Sequence, residues 1–122
     1  MNDKMPSVPF GSELEKYPLP PEAAGDFAVR VTGDELEPWL HDGDILLAER
    51  RIDLADGDVG LFHIRGTLVW RQYCRDSFGN IHLLVLNRAK SGEDVCIPAS
   101  SDQRVTCYAR ALLRERISLP MD

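Results

Sequence analysis

Apolar and polar positions begin to alternate at Phe27. Phe27, Val29 and Val31 are separated by Ala28, Arg30 and Thr32, the period of two expected of a half-buried strand. Gly33 and Asp34 interrupt the pattern, and residues 35–40 read as a short turn or helical piece. His41, Asp42, Gly43 and Asp44 form a tight turn in which Gly43 supplies a positive φ. Ile45, Leu46, Leu47 and Ala48 then read as a buried strand. A second turn covers residues 53–58. Strand-like runs over residues 59–64 and 68–74 flank Arg65, Gly66 and Thr67, which predicts a β-hairpin. Asp76 to Asn80 is another hairpin turn before a strand over 81–86. Residues 90–93 are polar and turn-like, Val95, Cys96 and Ile97 form a short strand, and residues 105–113 a last one whose alanine-containing end is expected to curl into helix.

About seven strands in under 100 residues, with no long amphipathic helix, predict a mainly β domain with an antiparallel, barrel-like or sandwich core. The domain covers residues 26–117. A Pro-rich arm (1–25) precedes it and a short tail (118–122) follows. Five of the eight prolines fall in the first 21 positions, so the arm is expected to be extended, with at most one helical turn over residues 12–16 that Pro18 would stop.

Composition narrows the class. A chain of 122 residues fits one domain, and 43% hydrophobic residues suffice for a core. No apolar run approaches the ~18 residues that cross a bilayer, and the polar start does not resemble a signal peptide. The formal charge of −6 argues against stand-alone nucleic-acid binding. Cys74, Cys96 and Cys107 lie singly in strand-like stretches, as small hydrophobes of a reducing, cytoplasmic compartment do. His41, His63 and His82 do not cluster with them, so no metal site and no cofactor is expected. His63 is expected to be half-buried in a strand, and Trp39 partly exposed and available to an interface. Ser77, Ser91, Ser100 and Ser101 read as turn residues. The mixed-charge runs 49–51 and 114–116 read as solvated surface.

The stretch from Asp26 to Leu47 closely resembles the catalytic-serine region of the LexA/phage-repressor family of self-cleaving S24 serine peptidases, whose fold is shared with signal peptidases. Gly33, Asp34, Pro38, Asp42, Gly43 and Asp44 match the family pattern. The similarity continues through Asp56, Gly57, Asp58 and Val59 to the final strand, over residues 26–115. The resemblance implies an antiparallel β fold. It places Glu35 at the nucleophilic serine position, Leu36 at the methionine that follows, and Trp70 at the general-base lysine. No lysine lies between Lys16 and Lys90, so a register slip does not restore the base.

Acyl transfer by such a dyad needs a hydroxyl nucleophile and a neutral amine. A carboxylate at 35 is a weak nucleophile, and an indole N–H only donates. No catalytic residue is therefore assigned, and Asp34, Glu35, Leu36, Pro38 and Trp70 are expected to form a relic cleft in which the Trp70 indole donates to Glu35 or plugs the space. The small-residue–Gly bond that the family cuts has only two counterparts, Phe10–Gly11 and Ala24–Gly25.

By resemblance, the chain is expected to be an inactive member serving as the dimerisation and regulatory module of a repressor of the SOS or prophage type. It would be a homodimer that meets DNA only through a helix-turn-helix unit, and in this sequence the Pro-rich arm stands where that unit would be. Two alternatives stay open. One is a noncanonical self-cleaving peptidase or UmuD-like accessory protein. The other is a module that binds a peptide or partner in the relic cleft.

Overall fold

Alternation of side chains produces the strands and the strands produce one sheet. The computed structural model describes residues 8–10, 14–103 and 105–120. In chain order the strands are β1 (Glu15–Tyr17), β2 (Phe27–Arg30), β3 (Ile45–Arg50), β4 (Val59–Ile64), β5 (Thr67–Arg75), β6 (Ile81–Leu84), β7 (Val95–Ile97) and β8 (Thr106–Leu112), with a 3-10 helix over Arg88–Glu93. Their order in the sheet is β1-β2-β3-β8-β4-β5-β6-β7, and each neighbouring pair is antiparallel. The mainly β, antiparallel expectation holds, with eight strands instead of seven.

The extra strand is β1, inside the Pro-rich arm. Where a helical turn is expected, Glu15, Lys16 and Tyr17 instead pair with Arg30, Val29 and Ala28. A free sheet edge offers a full row of partners, which outweighs the weak helical preference of a few residues. Residues 12 and 13 of the expected turn lie outside the described residues. At the other end, β8 stays extended to Leu112 instead of curling into helix, because β3 and β4 flank it on both sides. The polar stretch over 90–93 belongs to the 3-10 helix, capped by the Asn87 side chain, which accepts from the Ala89 N–H.

The β4–β5 hairpin closes in two residues. Arg65 and Gly66 both have positive φ (50° and 80°), the mirror-image turn that suits the right-handed twist of strands. On β4, Leu61 and Phe62 point to opposite faces and enter two different clusters. The larger cluster gathers Phe27, Val29, Val31, Leu46, Leu61, Trp70 and Ala109 with Leu14 from the arm, Leu36 and Ile117. The smaller centres on Phe62, Leu83 and Ile97. His63 is exposed and not half-buried, and Cys96 is exposed on the edge strand β7, while Cys74 is buried. No helix among the described residues is long and apolar enough to cross a membrane.

Candidate functional site

The site grows from the way β2 leaves the sheet. Beyond Arg30 the chain runs into the 33–44 loop, and the Asp-Gly-Asp turn clamps the two ends of that loop together. The Gly43 N–H donates to Val31 O (2.7 Å), Val31 N–H donates to Asp44 O (2.8 Å), and Gly33 N–H donates to the Asp42 carboxylate (2.8 Å). Asp44 accepts from His41 N–H at 2.8 Å. Gly43 holds φ at 93°, a conformation other residues adopt only with strain. Residues 35–40 then wind through hydrogen-bonded turns, with Trp39 and Leu40 N–H donating to Leu36 O. Pro38 is exposed in this turn after a cis peptide bond.

A second connection holds the loop from the side. The Asn87 N–H donates to Glu35 O (3.0 Å) and its side-chain amide to Asp34 O (2.9 Å). Lys90 Nζ meets the Asp34 carboxylate at 2.6 Å. The residue resembling a nucleophile position is therefore fixed through its backbone by a connection about 50 positions away in sequence.

Glu35, Leu36 and Trp70 line one small cleft, together with Val31 and Leu68. Leu14 from the arm is seated in the same cleft and is 4% exposed, leaving a cavity of about 60 Å³. Trp70 is 9% exposed and belongs to the large core cluster. The Glu35 carboxylate is engaged by Arg71 and not by the Trp70 indole. Arg71 Nη1 lies 3.4 Å from Glu35 Oε1 and donates to Trp70 O at 3.0 Å, and Arg71 Nη2 lies 3.9 Å from Glu93. The Arg71 side chain is only 6% exposed, and these carboxylates offset the cost of burying its charge. Asp34 is exposed and stays in contact with Lys90.

Arg71, Asn87, Lys90, Glu93 and Leu14 are members of the site that pattern reading misses. Arg71 alone carries a signal, as a charge in the middle of an apolar strand next to Trp70. The others come from connections 50 or so positions away or from the arm, and nothing in their local sequence marks them. Lys90 lies more than 50 positions from Asp34 in sequence, yet folding brings it to the 34–35 segment. The hydrogen bond with Asp34 raises its pKa, with burial opposing, and the same bond lowers that of Asp34. A lysine acting as a general base needs the opposite shift, towards the neutral amine.

The Ala24–Gly25 bond lies away from this cleft. Gly25 sits at the far end of β2, where a Cβ on it would meet Ala48 O at 2.7 Å, and Asp26 N–H donates to the same carbonyl. Phe10 packs edge-on against Phe27 (5.4 Å), and Gly11 lies outside the described residues. No three His, Cys, Asp or Glu side chains among the described residues are placed to hold a metal ion.

The arrangement pairs charges and holds an apolar segment, and among the described residues no serine or lysine lines the cleft. A family model described as Peptidase S24-like matches residues 6–112. A search of curated proteins returned no match. With most of its length matched, from the arm to the end of β8, the chain belongs to the Peptidase S24-like family.

Proposed function

We propose that this protein is a non-cleaving S24-like domain that serves as the dimerisation and regulatory module of a transcriptional repressor. The observation that carries the reading is the pair at the centre of the cleft. Glu35 is a carboxylate tied to a buried arginine, and Trp70 offers only a donor. Lys90 is held as an ammonium by Asp34. Among these three groups there is no hydroxyl to attack a carbonyl and no neutral amine to take its proton.

Pairing with a second copy is supported by a groove of about 530 Å³ in which Trp39, Ile45, Leu47, Leu112 and Leu113 lie beside the charged Asp44, Arg114 and Glu115. Trp39 is 43% exposed there, and an exposed tryptophan among aliphatic side chains with charges around them has the composition of an interface. DNA contact is assigned to a helix-turn-helix unit outside this chain.

Two measurements test the proposal. The purified chain incubated at alkaline pH stays intact by mass spectrometry and sediments as a dimer that Trp39→Ala weakens. A cut at Phe10–Gly11 or Ala24–Gly25 that Glu35→Ala abolishes overturns the inactive reading. A monomer at high concentration overturns the assembly role.

A further inference from the structure

A concavity unrelated to the relic cleft lies toward the other end of β5. Cys74 pairs with His82 and Gln72 with Leu84 across β5 and β6, so these four side chains share one face of the sheet. The buried Gln72 amide holds Ile117 O, and the tail beyond it brings Leu119 and Pro120 to the same pocket as Cys74, His82 and Leu84. The space has a volume of about 420 Å³, within the range of small-molecule sites. Leu84, Leu119 and Pro120 make it largely apolar. Burial, with Asp56 and Asp76 nearby, pushes the Cys74 thiol pKa up, so the thiol lines the pocket as a neutral, polarizable group.

The charged groups around this space balance. Two aspartates, Asp56 and Asp76, and two arginines, Arg75 and Arg88, line it, so their formal charges cancel. Arg88 is held by the Asp94 carboxylate and by Val85 O. Asp76 accepts four hydrogen bonds, from the Phe78 and Asn80 N–H groups, the Asn80 side-chain amide and His82 Nε2 (2.9 Å). An ionised carboxylate only accepts, so Nε2 carries the proton and Nδ1 of the neutral ring carries a lone pair. Nδ1 has no partner among the described residues, and the His82 side chain is 31% exposed. Asp76 thus fixes the imidazole as an acceptor that a ligand can reach.

We propose that this pocket binds a small neutral aromatic molecule whose single O–H or N–H donates to His82 Nδ1 while its ring rests on Leu84, Leu119 and Pro120. The balanced charges favour a neutral ligand, because an ion brought here would lose its hydration without gaining a free counter-charge of its own. The unmet acceptor selects for a donor, since an analogue without one leaves Nδ1 covered and unpaired. A rigid ring fills the apolar space at a smaller ordering cost than a flexible chain. The site gives the domain a small-molecule input at a distance from Glu35 and Trp70, and it stands whether or not the chain cleaves itself.

The test titrates the full chain with 4-ethylphenol and with its methyl ether, 4-ethylanisole, which has the same ring but no donor. NMR at about pH 8, where an ordinary imidazole is neutral, follows the His82 ring and the Leu84 and Leu119 methyl groups. The phenol is expected to give saturable shifts at all three residues and to leave the Trp70 indole resonance in place. The ether is expected to bind about tenfold more weakly, the size of one hydrogen bond. In His82→Phe the two probes bind alike, and Leu119→Asp weakens both. A phenol that leaves the His82 ring resonances of the unaltered chain in place overturns the proposal. So does an ether that binds the unaltered chain as tightly as the phenol, and this comparison needs no variant to fold. A folded His82→Phe chain that still prefers the phenol tenfold overturns the role of Nδ1.

Discussion

The tripeptide Asp-Gly-Asp occurs twice, at 42–44 and at 56–58, and folds the same way both times. In each turn the glycine has a φ near 93° (Gly43 93°, Gly57 94°) and donates to a carbonyl across the sheet at 2.7 Å, Val31 O in one and Tyr73 O in the other. The last aspartate accepts from the N–H three residues before it, His41 in the first turn and Ala55 in the second. The first aspartate accepts from a crossing N–H, Gly33 at 2.8 Å and Arg75 at 2.9 Å. Each braced residue is followed by an aspartate whose pKa is lowered, Asp34 by Lys90 and Asp76 by His82. Only one of the two turns borders the cleft. The tripeptide that carries much of the family resemblance is thus a brace for a departing strand, and it persists whatever chemistry sits beside it.

The turns differ in what surrounds them, and this difference is open to measurement. The second is tied into the interior. The Gln72 side-chain amide, 1% exposed, donates to Gly57 O and to Ile117 O. Gln72→Ala leaves two carbonyls short of a donor in buried surroundings and opens a small cavity. Chemical denaturation is expected to show a loss of about 2–3 kcal/mol.

Substituting the two glycines compares the turns directly. Both positions strain any residue with a Cβ. At Gly57 the new atom also lies 3.2 Å from Arg116 Nη2, whereas at Gly43 it meets nothing within 4 Å. Gly57→Ala is expected to cost about 2 kcal/mol and Gly43→Ala about 1 kcal/mol, read from paired thermal melts. Equal losses would mean that the surroundings of the turns do not matter.

Asp42→Ala removes the brace on Gly33 at an exposed position and is expected to cost about 0.5–1 kcal/mol. Its distinguishing effect is local, a faster amide exchange over residues 33–40 with no change around Asp76.

Acid pH separates the two braced aspartates by smaller effects. Asp76 accepts from His82 Nε2 at 2.9 Å, from the Phe78 and Asn80 N–H groups and from the Asn80 amide, and these bonds hold its pKa well below the usual range. A carboxylate with a depressed folded-state pKa stabilises fully above its unfolded value of about 4, and that contribution is lost as the pH falls towards the folded value. Asp76→Asn is therefore less stable than the unaltered chain near neutrality, and the gap narrows below about pH 4. Thermal melts across pH read this directly, and a gap constant with pH would break the argument. Lys90→Ala has the smallest expected effect on global stability, since its ion pair is exposed, and it shows instead as a rise in the Asp34 pKa by NMR titration.

Several elements are legible from pattern alone because their causes are local. Strand-like runs between turn residues mark β4 and β7 with the bounds observed, and Arg65-Gly66 announces its own hairpin. Strand β1 is hidden because its residues form a strand only where β2 offers an edge. Within the site, the resemblance to the family places Glu35 and Trp70, through the motif that begins at Gly33 and through the hairpin. It is silent on Arg71 as the partner of Glu35, because that pairing depends on how β5 meets the 33–40 loop.

Residue order by itself determined the β class, the Asp-Gly-Asp turns and the absence of a serine at 35 and a lysine at 70, since these follow from side-chain periodicity, backbone freedom and identity. The tertiary structure alone decided that Lys90 comes to Asp34 as an ammonium and that a leucine of the arm fills the cleft. Charge state and occupancy depend on neighbours that only the closed sheet brings together, since desolvation and pairing act through space and not along the chain.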